Sequence, residues 1–563
     1  MSTSSGSFDG PRYAQTFAEV EDALLSRWPE TRLEPSLDRI QAFVELLGDP
    51  QKAYQSVHLT GTNGKTSTSR MIDTILRTLE LRTGRFTSPH VEKMSERISI
   101  DGEPLSDEAF VDAFNDIAPF THLVDSTQEH PLSFFETVVG MAYAAFADAP
   151  IDVAVVEVGM GGGWDATNVI DAQVAVVLPI ALDHAQYLGD TIAAIATEKA
   201  GIIKPGAQVI LAQQTPEAAE VLIARAAEVG ATIAREGMEF GVVNRVAAVG
   251  GQVVTLQGLR GRYEDVFIPL HGAHQAQNAA VALAAVEALL GEHDLSDEII
   301  REAFGRVTSP GRLEVVRRSP SIVLDAAHNP HGAEASAAAI EDAFGFDPLI
   351  GVIGVMGDKD YEGVLAAFEP HMAHLVVTQN STPRSMKAED LGEVAKEIFG
   401  ESRVTVLPDL ASAIDYAAAL AEAGQAYGDA MGAGGVLVTG SVVTIGEARA
   451  MIRPEGREAA PAKDPNAIPD APEISPSMLR AMQAAAVTDG DLDSGLDIDP
   501  FAGAKSVRGP RHEDEDPVAR FIGEFGLDSD GDIDADDIFA MDERAAADAR
   551  GGNDQNNDDE DDQ

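Results

Sequence analysis

Nine consecutive residues constrain this chain more than any other stretch: Leu59-Thr60-Gly61-Thr62-Asn63-Gly64-Lys65-Thr66-Ser67. The β-branched run at 56–60 leads into a glycine-bounded turn, and a helical apolar pattern begins at Lys65 and runs to about Leu81. Strand, tight turn and helix in that order aim backbone N–H groups and the positive end of a helix at one point, which suits an anion. Lys65 adds a charge, and Thr66 or Ser67 carries a hydroxyl that can reach a magnesium ion. The pattern is not G-x-x-x-x-G-K-[ST], because Leu59 stands five positions before Gly64. The order of strand, loop, lysine and hydroxyl still predicts nucleotide phosphate binding.

Around this segment, short β-branched runs alternate with helix-length stretches, the signature of βαβ units and a parallel sheet. Runs at 153–158, 174–178 and 209–211 are candidate buried strands. The turn cluster Thr308-Ser309-Pro310-Gly311 marks a domain junction. Beyond it, runs at 322–325, 350–354, 375–378, 404–406 and 436–439 predict a second, smaller doubly wound sheet.

Three further segments fall at the ends of these elements. Glu157-Val158-Gly159-Met160-Gly161-Gly162-Gly163-Trp164-Asp165-Ala166-Thr167-Asn168 begins at the carboxyl end of a strand, where open α/β sheets place ligands. Glu157 is either a metal ligand or a lone acid satisfied by backbone donors. Leu182-Asp183-His184 also follows a strand, and an isolated histidine there is more often structural. Glu198-Lys199-Ala200-Gly201-Ile202-Ile203-Lys204-Pro205-Gly206 reads as a helix C-terminus capped by glycine.

Charge and composition exclude several classes. Among 563 residues, 40 Lys and Arg face 93 Asp and Glu, for a formal net charge of −53. Nonspecific binding to a phosphate backbone needs clustered cations, so no nucleic-acid partner is expected. No cysteine is present, which removes disulfides, thiolate nucleophiles and zinc–thiolate sites. Residues 1–12 contain no apolar signal-peptide core, and the longest apolar runs fall short of the ~20 residues a bilayer needs. A cytoplasmic protein with no membrane partner is expected. Residues 455–563 hold 30 acidic and 9 basic residues and are rich in Pro, Gly, Asn and Asp. They bury too little apolar surface to offset ordering entropy, which predicts a disordered acidic tail with short helices near 478–486 and 518–525. Residues 528–537 resemble a calcium loop, but Gly526 and Asp537 stand at its first and twelfth ligand positions; a solvated tail is the stronger reading.

The loop Gly61-Thr62-Asn63-Gly64-Lys65-Thr66 resembles the ATP loop of the Mur ligase superfamily. Ser88-Pro89-His90, Phe134-Phe135-Glu136, the segment 157–168, Asp183-His184, Glu198-Lys199-Ala200-Gly201, His274-Gln275 with Asn278, Pro310-Gly311-Arg312, Asp325 with His328-Asn329-Pro330, and Asp358-Lys359-Asp360 resemble its folylpolyglutamate synthase/dihydrofolate synthase branch. The resemblance covers about residues 18–449, with the motifs in family order. It implies an α/β fold: a large P-loop-type nucleotide-binding domain (1–307), a smaller Rossmann-like C-terminal domain (308–454) and the tail (455–563). It further implies an ATP-dependent ligase that joins L-glutamate to a folate or dihydropteroate carboxylate through an acyl phosphate, with magnesium and as a monomer.

Carried over by residue, Gly61, Thr62, Asn63, Gly64, Lys65, Thr66 and Ser67 would cradle the ATP phosphates, and Asn278, Arg312 and Asp325 would contact ATP. Ser88, Glu157, His184 and Lys199, the last as a carbamate, match magnesium ligands; Lys65, Lys199, His184 and Glu157 form the catalytic set. Ser133, Trp164, Asp165 and Ala166 match pterin-binding positions. Two departures bear on substrate preference: Gly163 stands where an arginine is common, and Ala185-Gln186 where a threonine and an acid are usual. The alternatives are another Mur-type ligase acting on a cell-wall nucleotide-peptide, and a nucleotide-binding regulator without catalysis.

Overall fold

The computed structural model describes residues 11–28, 36–426 and 433–453; the expected tail helices and acidic loop lie outside the described residues. The first sheet contains β1 (Gln55–Thr60), β2 (Thr83–Phe86), β3 (Ile98–Ile100), β4 (Glu103–Pro104), β5 (Val153–Glu157), β6 (Val174–Val177), β7 (Gln208–Leu211) and β8 (Thr232–Arg235). Their spatial order is β4-β3-β2-β5-β1-β6-β7-β8. The strands from β2 to β8 in this order run parallel, while β3 and β4 pair antiparallel at one edge.

Alternate side chains of one strand enter different cores, as the pleat requires. Val153 and Val155 pack with the helices Lys65–Thr78 and Ala273–Leu290, whereas Ala154 and Val156 pack with Phe134–Asp148. Burial on both faces explains why the strand reads as an uninterrupted apolar run.

A three-stranded antiparallel sheet follows: β9 (Gly241–Ala248), β10 (Gly251–Gln257) and β11 (Arg262–Ile268). Its Val254, Leu256, Val266 and Ile268 join the core beneath Ala273–Leu290. No expectation from the sequence covered this sheet, because β9 is half exposed and mixes Asn244 and Arg245 with small apolar residues.

The third sheet comprises β12 (Glu314–Arg318), β13 (Ser321–Leu324), β14 (Leu349–Ile353), β15 (His374–Val377), β16 (Val404–Val406) and β17 (Gly435–Thr439), ordered β12-β13-β17-β14-β15-β16. Only β12 runs antiparallel to its neighbour. Helices cover both faces, so the chain is α/β with two nucleotide-fold-like lobes. Among the described residues no helix is long and apolar enough to cross a membrane.

Candidate functional site

The carboxyl ends of β1, β5 and β6 open onto a cavity of about 560 Å³, closed on its far side by residues of the second lobe. The helix Lys65–Thr78 starts here without a side-chain cap. Gly64, at φ 88°, makes the turn and lies so close to Asn278 that a Cβ would sit 2.7 Å from its Oδ1. The uncapped first turn leaves backbone donors and the positive end of the helix dipole facing the cavity. Lys65 Nζ donates to the carbonyls of Gly61 and Thr62 at 3.0 and 3.2 Å. Thr66 Oγ1 donates to both oxygens of Glu157 at 3.1 Å. Ser67 instead faces Ser309 at 3.0 Å and Gln275 at 3.2 Å, so Thr66 rather than Ser67 carries the hydroxyl on the acidic side.

Glu157 is 1 % exposed, and burial pushes its carboxyl up to about 7 against the pull of Lys65 and the Thr66 hydroxyl. Lys199, also buried, donates to the Gly61 carbonyl at 3.0 Å, and desolvation together with the Lys65 charge brings its ammonium down to about 7. The helix Ile192–Lys199 passes into a 3-10 turn at Ala200–Ile202 and so lacks the glycine cap its sequence suggested.

The second lobe adds Lys359 and Asn329, to which the sequence assigned no role. Lys359 Nζ donates to Asp183 Oδ1 at 2.7 Å and to His184 Nε2 at 3.1 Å. Asn329 Nδ2 donates to Asp183 Oδ2 and to Asn63 Oδ1, both at 3.1 Å, while Asn63 returns a bond to Asn329 Oδ1. Despite its burial, Asp183 is held well below the usual carboxylate range, chiefly by the charge and hydrogen bond of Lys359. Burial and Lys359 lower His184 to about 4, keeping its ring neutral. Arg312 and Asp325 enter from the same side, with Asp325 oxygens accepting the N–H groups of Leu313 and Ala327 at 3.0 and 3.1 Å.

Two family models match this chain: the Mur ligase middle domain over residues 59–286 and the Mur ligase glutamate ligase domain over 311–442. The Mycobacterium tuberculosis dihydrofolate synthase/folylpolyglutamate synthase is 49 % identical over 78 % of this chain and 95 % of its own length. The chain belongs to the dihydrofolate synthase/folylpolyglutamate synthase family of Mur ligases. The M. tuberculosis folylpolyglutamate synthase solved in complex with ADP superposes with a TM-score of 0.75 at 49 % identity, covering 79 % of this chain and 99 % of that one. The Escherichia coli FolC in complex with DHPP and ADP gives 0.69 at 30 % identity over 78 % and 99 %. Lacticaseibacillus casei folylpolyglutamate synthase is 37 % identical over 65 % of this chain and 85 % of its own.

In this family member, Gly61, Thr62, Asn63, Gly64, Lys65, Thr66, Ser67, Ser88, Glu157, His184, Lys199, Asn278, Arg312 and Asp325 all line the one cavity. The four residues matched to the pterin do not. Ser133 caps the helix Phe134–Asp148 in a reciprocal pair with Glu136. Asp165 accepts Met160 N–H, Thr167 N–H and the Thr167 hydroxyl at 2.9, 3.0 and 2.5 Å, and so shapes the loop from within. The Trp164 N–H donates to Glu198 at 3.1 Å, and Ala166 is buried.

Proposed function

We infer that this chain is an ATP-dependent ligase that forms an amide between a folate or dihydropteroate carboxylate and L-glutamate. The observation that carries the reading is the convergence of an uncapped helix start, Lys65 and Glu157 from one lobe with Arg312 from the other around a single cavity.

A carboxylate acylates an amine only after its oxygen has been turned into a leaving group. The γ-phosphoryl group of ATP passes to the substrate carboxylate, releasing ADP and leaving an acyl phosphate. The glutamate nitrogen then forms its bond to the carbonyl carbon, phosphate departs with the C–O bond electrons, and the nitrogen gives up its surplus protons. The first step needs alignment and positive charge rather than a protein nucleophile. Lys65 would leave its own loop carbonyls for the transferred phosphoryl oxygens, with Arg312 approaching from the second lobe and the helix start beneath.

Among the described residues no group of three or more His, Cys, Asp and Glu forms a ready metal cage. The donors present nonetheless fit magnesium. Ser88 and Glu157 offer hard oxygens, no ion pair reaches the buried Glu157 carboxylate among the described residues, and a carbamate on Lys199 would supply a further anionic oxygen where an ammonium repels metal. His184 Nε2 is the fourth candidate, and it would have to exchange the Lys359 ammonium, 3.1 Å away, for the metal. Bound magnesium would neutralise charge on the phosphates. Lys359 and Asn329 tie Asp183 and Asn63 across the cleft, and a link of this kind between the lobes would help to keep water from the acyl phosphate. Action as a monomer in the cytoplasm belongs to the same reading.

The test is purified protein with ATP, magnesium and L-glutamate, offered dihydropteroate and a reduced folate in turn, with ADP and product mass recorded. A mass gain of one glutamyl residue, with stoichiometric ADP, is expected. Product with a muramoyl nucleotide-peptide instead, or nucleotide binding without acceptor-dependent ADP release, would replace this reading.

A further inference from the structure

A second set of contacts joins the lobes through the segment that follows Ser88. Residues 88–97 are tied into one piece. The Glu96 carboxylate accepts the N–H groups of Val91, Glu92 and Lys93 at 2.8, 3.1 and 3.0 Å, and Arg97 Nε donates to His90 Nδ1 at 3.0 Å. Ser88, at one end, lines the cavity. Val91, in the middle, packs against the apolar core of the second lobe that contains Ile445 and Ala448. The helix Val442–Ile452 approaches so closely that a Cβ at Gly446 would collide with the Val91 carbonyl oxygen.

Beside that contact the Glu92 carboxylate pairs with the Arg449 guanidinium of the same helix. Arg449 Nε also donates to both oxygens of Glu314, at 3.2 and 3.0 Å. Arg453 Nη1 reaches Glu314 Oε1 at 2.9 Å, and Glu314 Oε2 accepts the Gly311 N–H at 2.9 Å, one residue before Arg312. Two cations thus meet two anions. The side chains of Glu92, Arg449 and Glu314 are 19 %, 25 % and 15 % exposed, sheltered enough to escape most of the screening that weakens surface pairs.

We propose that Arg449 is a positioning residue: through Glu92 it holds the Ser88 segment, and through Glu314 it holds the turn that carries Arg312. One planar guanidinium with donors on several edges thereby sets the spacing between the two sides of the phosphoryl-transfer site. A lysine ammonium lacks that fork. The proposal rests on the ATP-dependent reading above.

The variants R449M, R449K, E92Q and the pair E92Q/R449M are compared with the full-length wild type by ADP calorimetry, steady-state kinetics and solution X-ray scattering. In R449M the ADP Kd and the KM for ATP rise about tenfold, within the range for residues that couple two parts of a site. Scattering with ADP present shows a larger radius of gyration. R449K recovers part of the loss. E92Q shifts in the same direction by less, because the Glu314 contact survives, and the pair is no worse than R449M alone, as one coupled interaction requires. A purely structural role would lower Tm and leave ADP affinity and the ATP KM at wild-type values, and that result overturns the proposal. Should R449M not fold, wild-type ADP affinity in E92Q overturns it equally. A wild type lacking acceptor-dependent ADP release would defeat the ligase reading instead, while the ADP affinities still test Arg449.

Discussion

The loop at 61–67 and the loop at 159–168 follow neighbouring parallel strands, β1 and β5, yet they dispose of their polar groups in opposite ways. In the first, Lys65 donates to two carbonyls of its own loop, and the helix start is uncapped. In the second, Asp165 turns inward: it binds Met160 and Thr167, while Thr167 Oγ1 lies 2.9 Å from the buried ring of His58. Burial drives the His58 pKa down to about 3, so that ring stays neutral inside the core. Polar groups left to the cavity can meet a ligand, whereas polar groups consumed within a loop give it shape. The same distinction separates Arg312, in the cavity, from Ser133, at a helix cap.

Four substitutions would break or sharpen that contrast. Lys65→Ala should reduce acceptor-dependent ADP release about a thousandfold, as for loss of a preorganised charge, while thermal melting stays near wild type. Near-normal turnover would remove the phosphate loop from the chemistry. Lys199→Ala should lose about a hundredfold, in the range for altered metal sites, and regain part of it with short carboxylic acids. Full activity in that variant would eliminate the carbamate. Asp165→Ala should act on the fold: leaving buried donors unpaired costs about 3 kcal/mol in urea unfolding, with the pterin KM little changed. Ser133→Ala should cost about 1 kcal/mol, the usual value of a helix cap. A steep rise in pterin KM at unchanged stability, in either of the last two, would support the direct substrate contact implied by resemblance.

Much of the fold could be read along the chain. The expected runs at 153–158 and 436–439 differ from β5 and β17 by one residue at one end, and the run at 350–354 is offset from β14 by one residue at each end. Strands covered by helices on both faces have no solvent side to interrupt the β-branched pattern. The sheet β9 to β11 escaped because its partly exposed strands carry no such run. At the site, the residues 61–67 that line the cavity could be picked out because they are contiguous. The roles of Asp183, Lys359, Gln275, Glu92 and Arg449 could not. Lys359 lies 176 positions from Asp183, and Arg449 lies 357 from Glu92. Asp358-Lys359-Asp360 stood out as a motif, yet no local pattern named its partner.

By itself, the order of residues settled the local geometry: where a strand must end, where a helix must start bare, and which lysine follows the turn. Those outcomes depend on backbone conformation and on periodic burial, both of which act over a few residues. Tertiary structure alone decided which carboxylates keep open lone pairs and which are occupied, because a side chain's partners come from whichever strand or lobe packs against it. Asp183 and Glu157 illustrate this: Asp183 accepts from Lys359 and Asn329, 176 and 146 positions away in the second lobe, whereas the buried Glu157 faces the cavity across from Arg312.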